Sequence, residues 1–148
     1  MIYSRLKYGS IITGQTSRAN LDKIQVLQNQ LLKVLSCKHY RHPTNKLHNE
    51  LSILKFEDMV KQETLSLMYN YVHNKLPKVL KNYFQHRNQL TEMITEHRKR
   101  RFIIPINNNN IGACTIKTIG SKLFNDKAPL LKLNKSIHTF RKDVKKCF

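Results

Sequence analysis

The sequence predicts a mainly α protein: a small helical bundle, a less regular C-terminal part and a terminal helix. Three observations predict it. Residues 20–35 repeat apolar side chains at helical spacing, 56–73 do so on two sides, and Ser136 opens a last amphipathic segment. Between 85 and 133 that periodicity gives way to charge, asparagine and short apolar runs. One domain is the expectation for 148 residues.

Residues 1–13 carry Ile2, Leu6, Ile11 and Ile12 with Tyr3 and Tyr8, which suits a short helix from 2 to about 8 stopped by Gly9 and Gly14. An apolar element starting at Met1 with no cap before it reads as a chain cut from something longer. In 20–35, at about 100° per residue, Leu21, Ile24, Leu27, Leu31, Leu32, Val34 and Leu35 fall in one arc. Gln28 alone interrupts that arc, and Val26 alone stands on the polar side. Asn20 is the expected N-cap, with Asp22 at the positive end of the helix dipole. This stripe needs a partner, and the rest of the chain is expected to cover it.

Residues 36–42 are polar and Pro43 closes them. Thr44 suits the cap of a short helix with Leu47 and Leu51 on one side. Residues 56–73 form the second strong helix, with Glu57 and Asp58 in the first turn, where negative charge is favoured. Phe56, Met59, Val60, Leu67 and Tyr71 make one stripe; Leu65, Met68, Tyr69 and Val72 make another. A helix apolar on two sides is normally sandwiched, here between 20–35 and a later element. Asn74 suits the left-handed residue after it, and Pro77 starts a short helix over 77–84.

From 85 to 101 charge replaces pattern, ending in HRKRR at 97–101. Residues 102–106 are apolar around Pro105, an edge strand at best. The four asparagines of 107–110 read as a loop. Residues 113–119 alternate loosely, with Cys114, Ile116 and Thr118 on one side, so the two runs allow a small β-hairpin. Residues 120–133 read as loop around Leu123, Phe124 and Pro129. Ser136 then caps a helix whose Ile137, Phe140, Val144, Cys147 and Phe148 share a face.

Charge narrows the function. Lys and Arg number 27 against 9 Asp and Glu, a formal net charge of +18. Such a chain repels itself unless an anion is present, and nucleic acid is the expected partner. A membrane surface is set aside, because the cations are spread over loops rather than along one helix face. No run approaches the roughly 18 apolar residues of a spanning helix. Cys37, Cys114 and Cys147 are odd in number and widely spaced, which fits an intracellular, reducing setting in nucleus or cytoplasm.

The candidate binding residues are therefore basic. Arg98, Lys99, Arg100 and Arg101 are dense enough to neutralise consecutive phosphates, or to act as a nuclear import signal. Arg141, Lys142, Lys145 and Lys146 form a second patch. Lys33, Lys38 and Arg41 continue from the polar side of 20–35, which also shows Gln25 and Asn29, short polar groups able to follow a duplex groove without reading sequence. Tyr69 and Tyr71 fit the core better than a base-stacking role. Cys37-x-His39-x-x-His42 gathers soft ligands, but a structural zinc site needs a fourth and no CxxC supplies it. The expectation is a surface thiol beside loop histidines, with no metal and no cofactor. Glu57 and Asp58 lie about 100° apart on their helix, so they do not easily share a metal and serve as dipole partners.

The chain also resembles a family. Tyr3-x-x-Leu6-x-Tyr8-Gly9, then Leu21-x-x-Ile24-Gln25-x-Leu27-Gln28-Asn29-x-x-Leu32-Lys33, then Pro43-Thr44-x-x-Leu47 carry the likeness. It continues through Leu51-x-Ile53-Leu54, Asp58-x-x-x-x-Gln62, Leu67-Met68-Tyr69, His73-Asn74-x-Leu76-Pro77 and Tyr83-Phe84, then Gly120-x-Lys122-Leu123-Phe124-Asn125 and Ser136-Ile137-x-Thr139-Phe140-Arg141-Lys142. In this order the pieces resemble the region after the catalytic palm of non-LTR (LINE-type, jockey-like) retrotransposon reverse transcriptases. The sequence departs from that pattern at Thr13, where an aromatic is usual, at Phe124, where Trp is usual, at Ala128-Pro129, and around His97.

The resemblance implies a thumb-like helical bundle over 1–84; the residue pattern itself divides 85–148 into a basic linker, the hairpin and the C-terminal helix. In the parent RNA-directed DNA polymerase such helices grip the template–primer duplex of RNA and DNA beside the palm. The Asp-Asp turn that carries the family's paired metal ions is not in this sequence, so the chain on its own is not expected to be an enzyme. The alternatives are part of an active polymerase whose palm lies upstream, decided by reading the upstream frame, and a relic helical module that pairs with another protein.

Overall fold

The computed structural model describes residues 2–85, 102–127 and 136–147. They form α1 (Ile2–Lys7), α2 (Ser10–Thr13), α3 (Arg18–Leu35), α4 (Thr44–Glu50), α5 (Phe56–Val72), a 3-10 turn (Lys78–Leu80), α6 (Asn110–Ala113), α7 (Ile116–Lys127) and α8 (Ile137–Lys146). The protein is mainly α. Among the described residues no helix is long and apolar enough to cross a membrane. Backbone contacts divide the chain into two compact units, one up to Lys61 and one from Gln62 to Cys147, with the boundary inside α5.

In the first unit, Gly9 at φ +73° ends α1 and lets the chain restart as α2. Gly14 follows where space is short: an added Cβ would overlap Val60 and come within 2.8 Å of the Ser10 carbonyl. α3 begins earlier than the sequence suggests. Ser17 is the N-cap, and Asn20 already lies in the first turn, its N–H donating to the Ser17 carbonyl at 3.0 Å. α4 likewise starts at Thr44 itself, after Pro43, and buries Leu47 while Leu51 stays exposed.

The larger correction concerns the face of α3. Its buried residues are Gln28 and Leu32, while Leu27, Leu31, Val34 and Leu35 are exposed. The cause is polar. Gln28 Nε2 donates to the Leu54 carbonyl at 2.9 Å, and Gln25 Oε1 accepts from the Phe56 N–H at 2.8 Å. These bonds set the rotation of α3, because leaving the Phe56 N–H unpaired inside the protein would cost about 1–3 kcal/mol. Hydrophobic periodicity does not record them.

α3, α4 and α5 end alike. After each, one residue turns left-handed (Cys37 at φ 50°, Ser52 at 52°, Asn74 at 53°). Paired bonds close each turn: Lys38 N to Lys33 O and Cys37 N to Val34 O after α3, Ile53 N to His48 O and Ser52 N to Asn49 O after α4. Lys75 N to Asn70 O and Asn74 N to Tyr71 O repeat the pattern after α5. This is the Schellman motif. Asn74 takes the place foreseen for it.

The second unit is built on the rest of α5, which buries residues around its circumference: Gln62, Thr64, Leu65, Ser66, Met68, Tyr69 and Tyr71. Tyr71, Phe84, Phe102 and Phe124 form an edge-to-face cluster with ring centroids 4.9–5.8 Å apart. The Tyr71 hydroxyl lies 2.6 Å from the Lys81 carbonyl and 2.7 Å from that of Phe84, which share its proton. With those carbonyls turned to Tyr71, the helix expected over 77–84 shrinks to the 3-10 turn.

The β-hairpin expected from 102–106 and 113–119 is replaced. Phe102 is anchored by a side chain, its N–H and C=O both bonded at 2.9 Å to the Asn125 amide. The second run instead enters α7, which continues through the stretch read as loop. Gly120 lies inside α7 as a contact point, with room beside Met68 Sδ for nothing larger without adjustment (3.2 Å to an added Cβ). The asparagine tract is partly structured, since Asn109 caps α6 through the Gly112 N–H and Asn107 donates to Thr118 Oγ1 at 2.7 Å. α8 follows the expectation: Ser136 caps it, and Phe140 and Val144 are fully buried. Phe140 packs on Tyr69 at 4.6 Å.

Candidate nucleic-acid interface

The Schellman turn at Cys37 sends the chain out of α3 into a tight turn over 39–42, closed by the His42 N–H donating to the His39 carbonyl at 2.9 Å. Tyr40 and Arg41 occupy the two corners. The Lys33 ammonium donates to the Tyr40 carbonyl and fixes the turn against the last turn of α3. Arg41 Nε donates to the Tyr40 hydroxyl at 2.9 Å, and its guanidinium carbon lies 5.4 Å from the ring centroid. The His39 ring lies tilted at 4.9 Å from the same ring. Tyr40 nevertheless stays 66% exposed. Lys38 and Arg41 are exposed, and among the described residues no carboxylate pairs with either. Lys33, Lys38 and Arg41, predicted together, are thus brought together, with Lys33 acting as the strut.

Gln25 and Asn29 have a different task from the one expected of them. Gln25 Nε2 donates to Gln28 Oε1 at 3.1 Å and to Asn29 Oδ1 at 2.9 Å, while its own oxygen caps α5. Asn29 Oδ1 also lies 3.1 Å from His48 Nε2, and His48 Nδ1 is 2.9 Å from the Ile53 carbonyl. This network holds α3, α4 and the start of α5 together, so these amides are spent on the fold rather than on a groove. Beside it, Glu57 bridges Arg18 at 3.3 Å and Lys61 at 3.3 Å. Burial raises the Glu57 carboxyl, but Lys61 and Arg18 more than offset that and hold it below the ordinary 4.5.

In the second unit Arg141 also points inward. Its Nη2 pairs with Glu63 at 3.4 Å, its Nε donates to Ser66 Oγ at 3.3 Å, and its carbonyl accepts from Gln62 Nε2 at 3.0 Å. Arg141 therefore ties α8 to α5 and leaves the predicted patch. Lys142 and Lys145 remain exposed on α8. Arg98, Lys99, Arg100 and Arg101, and the side chain of Lys146, lie outside the described residues.

Two features lie outside the residues expected from the sequence. One is Tyr40 itself, whose signal was available in Lys38-His39-Tyr40-Arg41, an aromatic set among bases. The other is Lys75, Lys78 and Lys81, three exposed lysines at three-residue spacing after α5. Tyr69 and Tyr71 are buried, as core residues should be. The His39 Nδ1 accepts the Arg41 N–H at 3.3 Å. Among the described residues no three His, Cys, Asp or Glu side chains gather as a metal would require.

Compared with family models, curated proteins and solved structures, the chain matches none of them.

Proposed function

We propose that the chain is a nucleic-acid-gripping, non-catalytic fragment: the thumb and C-terminal extension of a LINE-type reverse transcriptase, bound to phosphate backbones without regard to sequence. The observation that carries this is the allocation of charge. Asp22, Glu57, Asp58 and Glu63 are engaged by Arg18, Lys61 and Arg141. Lys38, Arg41, Lys78, Lys81 and Lys142 stand exposed without a carboxylate among the described residues. The ordered series of motifs from Tyr3 to Lys142 supplies the family. The exposed thiols of Cys37, Cys114 and Cys147 suit a reducing compartment of nucleus or cytoplasm. In the parent the palm would be the protein partner.

The test is a salt titration of binding to a duplex oligonucleotide, read by fluorescence anisotropy. Log affinity should fall linearly with log salt, and removing Lys38 and Arg41 together should reduce the slope by about two. Affinity that does not fall between low and physiological ionic strength refutes the reading.

One observation favours a second reading, a helical module that pairs with another protein. Leu27, Leu31, Val34 and Leu35 leave an apolar stripe on α3 open to solvent. Sedimentation of the pure chain decides whether that stripe drives self-association.

A further inference from the structure

We infer that Tyr40 is a stacking platform for an unpaired nucleobase, with Lys38 and Arg41 taking the flanking phosphates, so that the turn over 39–42 prefers single-stranded nucleic acid to a duplex, of which it contacts the phosphates alone. The inference rests on the nucleic-acid reading above and adds the form of the ligand.

An exposed tyrosine in a loop normally swings freely. Tyr40 does not: its carbonyl is held by Lys33, its hydroxyl accepts from Arg41 at 2.9 Å, and its backbone sits at the corner of a closed turn. Ordering an aromatic ring beforehand removes part of the entropy that stacking would otherwise cost. The ring is held, yet 66% of the residue faces water. Arg41 spends one N–H on the hydroxyl and keeps the donors of its terminal nitrogens for a phosphate. An exposed aromatic ring with the Arg41 guanidinium over it, its carbon 5.4 Å from the centroid, matches the two parts of a single-stranded nucleotide, the base and its phosphate. A paired base hides its face inside the stack and offers the turn only phosphates.

The test uses the full chain with an oligothymidylate and with a hairpin duplex of similar charge. Tyr40→Ala should weaken binding to the single strand by about tenfold and leave the hairpin within about twofold. The salt slope should not change, since no phosphate contact is removed. Tyr40→Phe keeps the ring and loses the hydroxyl that Arg41 holds, so its affinity for the single strand should fall between those of wild type and Tyr40→Ala. Tyr40→Trp introduces the sole tryptophan of the chain, and its emission should be quenched by the single strand and not by the hairpin. Equal loss on both ligands, or no loss on the single strand, overturns the stacking role while leaving salt-dependent binding intact. A wild-type chain that binds neither ligand overturns the broader reading as well. Because Tyr40 is exposed, circular dichroism of Tyr40→Ala should match wild type, and a variant that fails this check is replaced by the tryptophan readout, where absence of quenching overturns the inference.

Discussion

Replacing Gln25 by methionine isolates the polar tie that orients α3. The substitution keeps most of the side chain's bulk and removes its oxygen and nitrogen. Three hydrogen bonds go with them, to the Phe56 N–H, Gln28 Oε1 and Asn29 Oδ1. The first matters most. Phe56 is buried at 2% exposure and opens α5, so its N–H has neither an intrahelical partner nor water to turn to. An unsatisfied buried donor costs about 1–3 kcal/mol, and losing a helix cap typically costs about 1. Asn29 keeps its contact with His48, which limits the remaining loss. We expect Gln25→Met to lower unfolding free energy by about 2–3 kcal/mol, measured by urea denaturation followed at 222 nm. Lys23→Ala, on the exposed side of the same helix, is the control and should lie within about 0.5 kcal/mol of wild type. A Gln25→Met chain as stable as that control refutes the claim that polar bonds, rather than the apolar stripe, set the rotation of α3.

Cys37→Gly should raise stability by about 0.5–1 kcal/mol in the same assay, because the exposed Cys37 holds φ 50° where glycine has no Cβ penalty. Gly14→Ala should lower it by about 1–3 kcal/mol, since the added Cβ meets Val60 and comes within 2.8 Å of the Ser10 carbonyl. Glu57 contributes through its lowered carboxyl. That contribution is present above the ordinary 4.5 and fades as pH falls through the lower folded value. Glu57→Gln should therefore be less stable than wild type at pH 7, and the two unfolding midpoints should converge as the pH is brought below the lowered folded value. The side chain is 48% exposed, so the difference at pH 7 should be small.

The sequence made the apolar logic legible and the polar logic much less so. α5 and α8 appear where their spacing places them, and Asn74 ends α5 because asparagine tolerates the left-handed conformation. Cys37 and Ser52 do the same work without a residue type that announces it. α3 was recognisable as a helix, but its inner face was not, because Gln28 reads as an interruption until its bond to Leu54 is known. α7 was missed for a related reason: its buried positions are Thr118, Gly120, Ser121 and Phe124, and only the last is a large apolar residue. For the candidate interface the same rule ran in reverse. Counting cations found Lys33, Lys38 and Arg41, and could not tell them from Arg141, which faces Glu63.

That distinction bears on how one fold can carry a net charge of +18. Of the nine carboxylates, four act as struts among the described residues: Asp22 and Glu57 on Arg18, Glu57 and Asp58 on Lys61, and the largely buried Glu63 on Arg141. Each strut fixes a helix end or joins two helices, so none can be redirected to neutralise the lysines outside without loosening the unit it holds. The remaining positive charge has to be compensated from solution. Salt then acts with opposite signs on two properties of the same molecule. Screening relieves repulsion among the exposed cations and favours the compact chain, while it weakens their attraction for a phosphate backbone. Under the proposed function a polyanion relieves that repulsion as it is bound, so folding and binding become two expressions of one excess charge.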